Sequence, residues 1–343
     1  MDNPYFYQMP NVNPQLQQAY QQQMFYKLKR KKEISELIRT GITIGATLIA
    51  SLIIQTVLVL VLQQSGYYDT YLNSSLFQNA FNIIAVDICS LLIPFFIMSR
   101  ILKNRYTGDL IPKQKVGKLT AFAWISVGMG CCVGANYITA FVIALFKQFG
   151  YKLTQSEYND PSNALECAVL VFSTALAPAL FEEFAMRCCT LGALRKYGKG
   201  FAVFAVSIVF GLIHGNVIQF VFAFILGLIF GYITIVTDSV VPAMFIHGFN
   251  NLISVINDIM VFAFKTDKVT EYVGSVCYLV WLGIAVWGLI YLIINKKFFP
   301  KREKKAREPY ALSFGTKVLC LIPGLIIPFL MLIYLTKQTV VPI

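Results

Sequence analysis

Residues 164–187 read ALECAVLVFSTALAPALFEEFAMR. As a helix rising 1.5 Å per residue, this stretch is long enough to cross the ~30 Å hydrocarbon core of a bilayer. Yet it closes on two adjacent glutamates and an arginine, Glu182, Glu183 and Arg187. Ionisable side chains at bilayer depth cost at least a few kcal/mol and generally mark a functional pathway or site. The only two histidines of the chain, His214 and His247, sit in neighbouring apolar stretches, and Asn251 follows the second. Acids, imidazoles, a guanidinium and an amide gathered in this way read as a reaction site built inside a membrane.

The rest of the chain supplies the membrane protein. It has 343 residues, 57% hydrophobic and 13% charged, with a mean hydropathy of +0.64. A soluble domain of this size cannot hide that much apolar surface. The expected fold is all-α, a polytopic membrane helical bundle of about nine transmembrane helices. The apolar segments run roughly over 37–63, 76–99, 119–146, 164–187, 200–215, 217–236, 240–264, 272–295 and 315–336. The weakest division is at Gly215-Asn216, the sole turn signal between the fifth and sixth.

Four regions follow. Residues 1–36 are a polar tail, expected to be disordered, ending in the basic collar of Lys27, Lys29, Arg30, Lys31 and Lys32. Residues 37–118 are two N-terminal spans and a basic loop. Residues 119–264 are the catalytic membrane core, and 265–343 hold the last spans around a second basic loop. The polar first thirty residues lack the apolar centre and small-residue cleavage site of a signal peptide.

The net charge of +12 does not indicate nucleic-acid binding, because the cations cluster at segment ends, as topology signals do. The loop at 64–75 has no Lys or Arg. The loop at 100–118 holds Arg100, Lys103, Arg105, Lys113, Lys115 and Lys118. The loop at 147–163 is mixed, with Lys147, Lys152, Glu157 and Asp160. The turn expected at 188–199 has Arg195, Lys196 and Lys199, and the loop at 265–271 balances two lysines against Asp267 and Glu271. The loop at 296–314 carries Lys296, Lys297, Lys301, Arg302, Lys304, Lys305 and Arg307. This alternation predicts nine spans with a cytoplasmic N-terminus; merging 200–236 into one broken helix would invert everything after it. The Lys- and Ile-rich composition suits a bacterial plasma membrane, with lipids as partners and anionic headgroups near the 296–314 loop. The eight cysteines form no CxxC pair and read as packing residues.

Helical spacing assigns partners within the candidate site. Glu183 and Arg187 are four apart and share a face, so they can pair. Glu182 is rotated about 100° from Glu183 and stays free to act as a base. Phe210 and His214 share a face, as do His247 and Asn251, whose donors suit an oxyanion. Asn250 points elsewhere, and Gly211 and Gly248 permit close helix approach.

Glu182-Glu183-x-x-x-Arg187, Phe210-x-x-x-His214 and His247-x-x-x-Asn251 resemble the three ordered motifs of the CPBP or Abi family of intramembrane endopeptidases, also called type II CAAX proteases. The resemblance covers about residues 120–260. It implies that Glu182 activates water with His214 assisting, that His247 and Asn251 form the oxyanion site, and that no metal or other cofactor is needed. Cys188 stands where many members have glycine.

The expected substrate is a hydrophobic or membrane-anchored peptide. Three other readings stay open. Two histidines and two carboxylates could hold zinc, although an amide is a poor zinc ligand. A proton-coupled transporter could use further acids such as Asp87 and Glu166, but no inverted repeat is evident. A non-catalytic immunity or scaffold protein would keep its function without Glu182. HExxH, GxSG and GxGD motifs are absent, so other intramembrane protease types have no support.

Overall fold

With no water at bilayer depth, the backbone of each apolar run must bond to itself, which favours helix. The computed structural model describes residues 13–104, 116–153, 161–264, 267–299 and 310–342. Helix α1 spans Pro14–Gln64, α2 Tyr68–Asn73, and α3 Ser75–Ile101. They are followed by α4 over Lys118–Gln148, α5 over Ala164–Tyr197, α6 over Lys199–Leu212 and α7 over Val217–Thr237. The last three are α8, Val241–Phe264, α9, Asp267–Ile294, and α10, Phe314–Thr339. Every expected apolar segment is helical, so the all-α membrane bundle stands. Among the described residues, seven helices are long and apolar enough to span, and the two shorter apolar stretches are α6 and Val241–Ile256 of α8. The expected count of nine full crossings is not confirmed. One small departure from all-α is an antiparallel ribbon, β1 (Tyr151–Leu153) paired with β2 (Val340–Pro342).

Two helix boundaries differ from expectation. Residues 14–36 are not disordered; they form the first turns of α1. Their Gln, Leu and Lys are good helix formers, and a long span already nucleated behind them needs only propagation. At 1.5 Å per residue, α1 is ~77 Å long and projects well beyond a bilayer. Likewise α5 does not turn at 188. Cys188 to Leu194 are fully or nearly buried and helical, so the helix runs on until Gly198, whose φ of +125° would strain any other residue.

Side-chain contacts gather several basic segments of the chain at one end of the bundle. Tyr26 stacks on Tyr310 at 6.0 Å, Lys29 lies over the same ring, and Lys317 donates to the Tyr197 carbonyl. The basic collar, the 195–199 turn and the chain from Tyr310 to Lys317 thus share one end. The β1–β2 ribbon places the 147–163 loop and residues 340–342 together. Residues 1–12, Arg105, Lys113, Lys115, Glu157, Asp160, Lys265, Lys301, Arg302, Lys304, Lys305 and Arg307 lie outside the described residues.

The last helix closes on the first. α1 crosses α10 where Gly45 meets Gly324, and a Cβ on either would collide with backbone of the partner helix. Glycines there let the two backbones touch, which compensates for the lack of a hydrophobic drive between helices in lipid. Away from the core, large apolar side chains such as Phe141, Leu279 and Leu330 are exposed, which suits lipid rather than water.

Candidate active site

Three helix segments widen beyond α geometry, and two of them frame the acids. The turns widen to π-helix over Ile83–Leu92 in α3, and over Phe172–Leu176 and Phe184–Leu191 in α5. Such widened turns are frequent at functional sites. Between the two in α5 lies Ala177–Glu183, with Pro178 near its start. Proline has no N–H to offer the carbonyl four residues earlier, here that of Thr174. Asn251 Nδ2 donates to that carbonyl at 3.1 Å. The break in α5 thus supplies the acceptor that anchors α8, a relationship that motif reading did not reveal.

The expected pair forms. Arg187 Nε lies 3.1 Å from Glu183 Oε2, with both side chains fully buried. It is an ion pair rather than an aligned hydrogen bond, and the terminal nitrogens of Arg187 meet no hydrogen-bond partner among the described residues. Aromatic faces take that place. The guanidinium carbon lies 4.7 Å from the Phe210 ring centre and 5.3 Å from that of Phe230. A planar, delocalised cation between two rings suits arginine far better than lysine. Phe230 was not singled out in the sequence; it belongs to no motif and reads as one more apolar residue of α7.

His247, 5% exposed, joins the two acids. Its Nδ1 is 3.0 Å from Glu183 Oε1 and its Nε2 is 3.9 Å from Glu182 Oε2. Glu182 differs from its neighbour in facing a cavity, with its side chain 18% exposed. His214 Nδ1 lies 2.7 Å from the Phe210 carbonyl. A carbonyl only accepts, so Nδ1 carries the proton, and Nε2 of the neutral ring has a free lone pair.

Motif positions alone put His214 and His247 toward opposite sides of the membrane. In the structure both face one cavity, because α6 is only 14 residues long and the chain turns at once through Gly215, φ +71°. Asn216 then caps α7, accepting from the Gln219 N–H. The Phe210 ring touches both imidazoles edge-on, at 5.1 Å and 6.1 Å. Gly211 accepts Phe220 so closely that a Cβ would collide with its ring, at 2.6 Å. Gly248 is less demanding: a Cβ there would meet only ordinary contacts, the nearest at 3.4 Å. Cys188 is buried beside Val240 and leaves the Glu183–Arg187 pair in place.

The cavity has a volume of about 560 Å³ and is lined by Glu182, His214, His247 and Asn251 together with Phe210. Glu183 and Arg187 are not among its lining residues and stand behind it. Spans outside the motif region complete the wall: Leu48, Ser51 and Gln55 of α1, Asn79, Asn82, Asp87 and Ser90 of α3, and Pro328 and Met331 of α10. Tyr71, on the short α2 outside the spans, sits at its margin and bonds Asn82 at 3.3 Å. Burial pushes the Tyr71 phenol above its usual range, so it remains a protonated donor at neutral pH. Polar side chains such as Asn82, Asp87, Glu182 and His214 on this wall suit water or a polar guest.

Glu166, weighed as a relay acid, is not in the cavity. It closes the start of α5, with Oε2 accepting from the Ser162 N–H at 2.7 Å and Oγ at 2.9 Å, as acids at helix starts commonly do. Among the described residues, no three His, Cys, Asp or Glu side chains converge as metal ligands would.

Residues 164–253 match the family described as type II CAAX prenyl endopeptidase Rce1-like, a narrower stretch than the 120–260 that the motifs suggested. No curated protein and no solved structure gives a match. The matched stretch contains all three motifs and every residue from Glu182 to Asn251 discussed above. It supports an intramembrane endopeptidase of the CAAX type in general terms. The segment that builds this site is thus similar to the core of the type II CAAX prenyl endopeptidases.

Proposed function

We propose that the protein is an intramembrane glutamic-type endopeptidase that hydrolyses hydrophobic or membrane-associated peptides. The observation that carries this reading is the division of the acid pair: Glu183 is sealed against Arg187 and His247, while Glu182 faces the cavity.

In the proposed reaction, Glu182 takes a proton from water as the water attacks the peptide carbonyl, and later returns it to the leaving amine. The lone pair on His214 Nε2 orients that water. The tetrahedral oxyanion is held by His247 and Asn251. For His247 this requires a proton on Nε2, and Glu183 at Nδ1 supplies the opposing charge. Asn251 keeps one amide hydrogen toward Thr174 and has a second to offer. Fixed donors in a site with little water stabilise such an anion strongly. No metal enters this scheme, and membrane lipids surround the site without taking part. The plasma membrane with a cytoplasmic N-terminus is the location that fits the charge pattern.

The test is cleavage of quenched-fluorescent hydrophobic peptides, lipidated and unmodified, by purified protein in liposomes. Wild type should cleave, Glu182→Gln should not, and a chelator should change neither result. Chelator-sensitive cleavage would favour a metal-dependent peptidase, and unaltered cleavage by Glu182→Gln would sink the reading.

A further inference from the structure

Asp87 is a carboxylate that the proposed reaction leaves without a task. It lies in the widened Ile83–Leu92 segment of α3, is 7% exposed, and lines the same cavity as Glu182. Among the described residues, none donates a hydrogen bond to it or forms an ion pair with it. A buried acid that served only to pack helices would be paired, because an unpaired buried charge is strongly unfavourable. The missing partner is not supplied by the rest of the wall, for among the described residues no lysine or arginine lines the cavity. Arg187 is committed to Glu183, Phe210 and Phe230 on the far side of the acid pair.

A guest that fills this cavity displaces the water around Asp87. A wholly neutral peptide would leave the carboxylate dry and uncompensated, whereas a cationic group would pair with it. We propose that Asp87 is a specificity-determining residue that receives a basic group of the substrate, a lysine or arginine side chain or a terminal ammonium, beside the bond addressed by Glu182. This rests on the reading of the site as a peptidase and adds the charge of its preferred substrate. The same wall disfavours a free carboxylate of the substrate at that position, because two acids and no fixed guanidinium or ammonium would meet it.

The experiment uses full-length protein in liposomes and pairs of quenched peptides that differ only by lysine or norleucine, placed in turn at each position flanking the cleaved bond. Wild type should favour lysine at one position about tenfold in kcat/KM, the size of one charge-assisted hydrogen bond. That ratio should fall to near one in Asp87→Asn and persist in Asp87→Glu. Equal cleavage of both peptides by wild type at every position overturns the proposal without any variant. So does a ratio that Asp87→Asn leaves unchanged, as a proton donor or a purely structural acid would. Should no peptide be cleaved, the peptidase reading fails separately. Anisotropy of the same labelled peptides, bound to Glu182→Gln with and without Asp87→Asn, then decides the cation preference: a ratio that disappears supports it, and a ratio absent or unchanged overturns it.

Discussion

His247 Nδ1 lies 3.0 Å from one oxygen of Glu183, and the other oxygen of that carboxylate lies 3.1 Å from Arg187 Nε. One fully buried acid therefore ties the first motif to the third. Removing it strands a buried guanidinium, and breaking a buried pair from one side costs about 3–5 kcal/mol. Glu183→Ala should lower abundance and melting temperature far more than Glu182→Ala does. Thermal unfolding of both in detergent checks this, and the reverse order would undo the division of labour between the two acids.

Arg187 makes a second demand on the same cluster. Arg187→Lys keeps the charge but loses the flat cation between Phe210 and Phe230. A loss of about 2 kcal/mol is expected for a desolvated contact of this kind. If the lysine variant melts with wild type, charge alone holds the cluster.

Asn251→Ala should lower kcat by roughly 10²–10³-fold, the usual effect of removing one oxyanion donor, with little change in expression. Steady-state kinetics in liposomes would show it. An unchanged rate would leave Asn251 as a helix anchor through Thr174 and nothing more.

Pro178→Ala separates stability from activity. Alanine restores an N–H that competes with Asn251 for the Thr174 carbonyl, while removing a helix interruption that is ordinarily costly. The variant should melt no lower than wild type, and kcat should drop roughly tenfold as Asn251 drifts. A parallel fall in both quantities would mean that the proline is simply part of the packing.

Much of this was legible because helical spacing is rigid. Residues four apart share a face, so Glu183 with Arg187 and the common face of His247 and Asn251 follow from the sequence. The Gly215-Asn216 break was visible for the same reason, since a positive φ and a side-chain cap have recognisable residues. What spacing does not encode is the relation between helices. The length of α6 and the turn after it bring His214 level with His247, and neither follows from a motif. Phe230 and the Thr174 carbonyl became partners only once α7 and α8 had packed. Asp87 read as a further acid that a proton-coupled transporter could use, because nothing local says that α3 would turn it toward the cavity of Glu182. The helical start of α1 was missed because its composition resembles that of a disordered tail, while its attachment to a long span favours continuation.

The crossing of α1 and α10 at Gly45 and Gly324 has a consequence for biogenesis. Pro328 and Met331 of α10 wall the cavity, although the three motifs are synthesised well before them. During translation the acids and imidazoles are already in the membrane while one flank of their chamber still lies open to acyl chains. The chamber closes when the late helix zips its glycine against the earliest one. The last segment to be synthesised is thus also the one that completes the chamber wall.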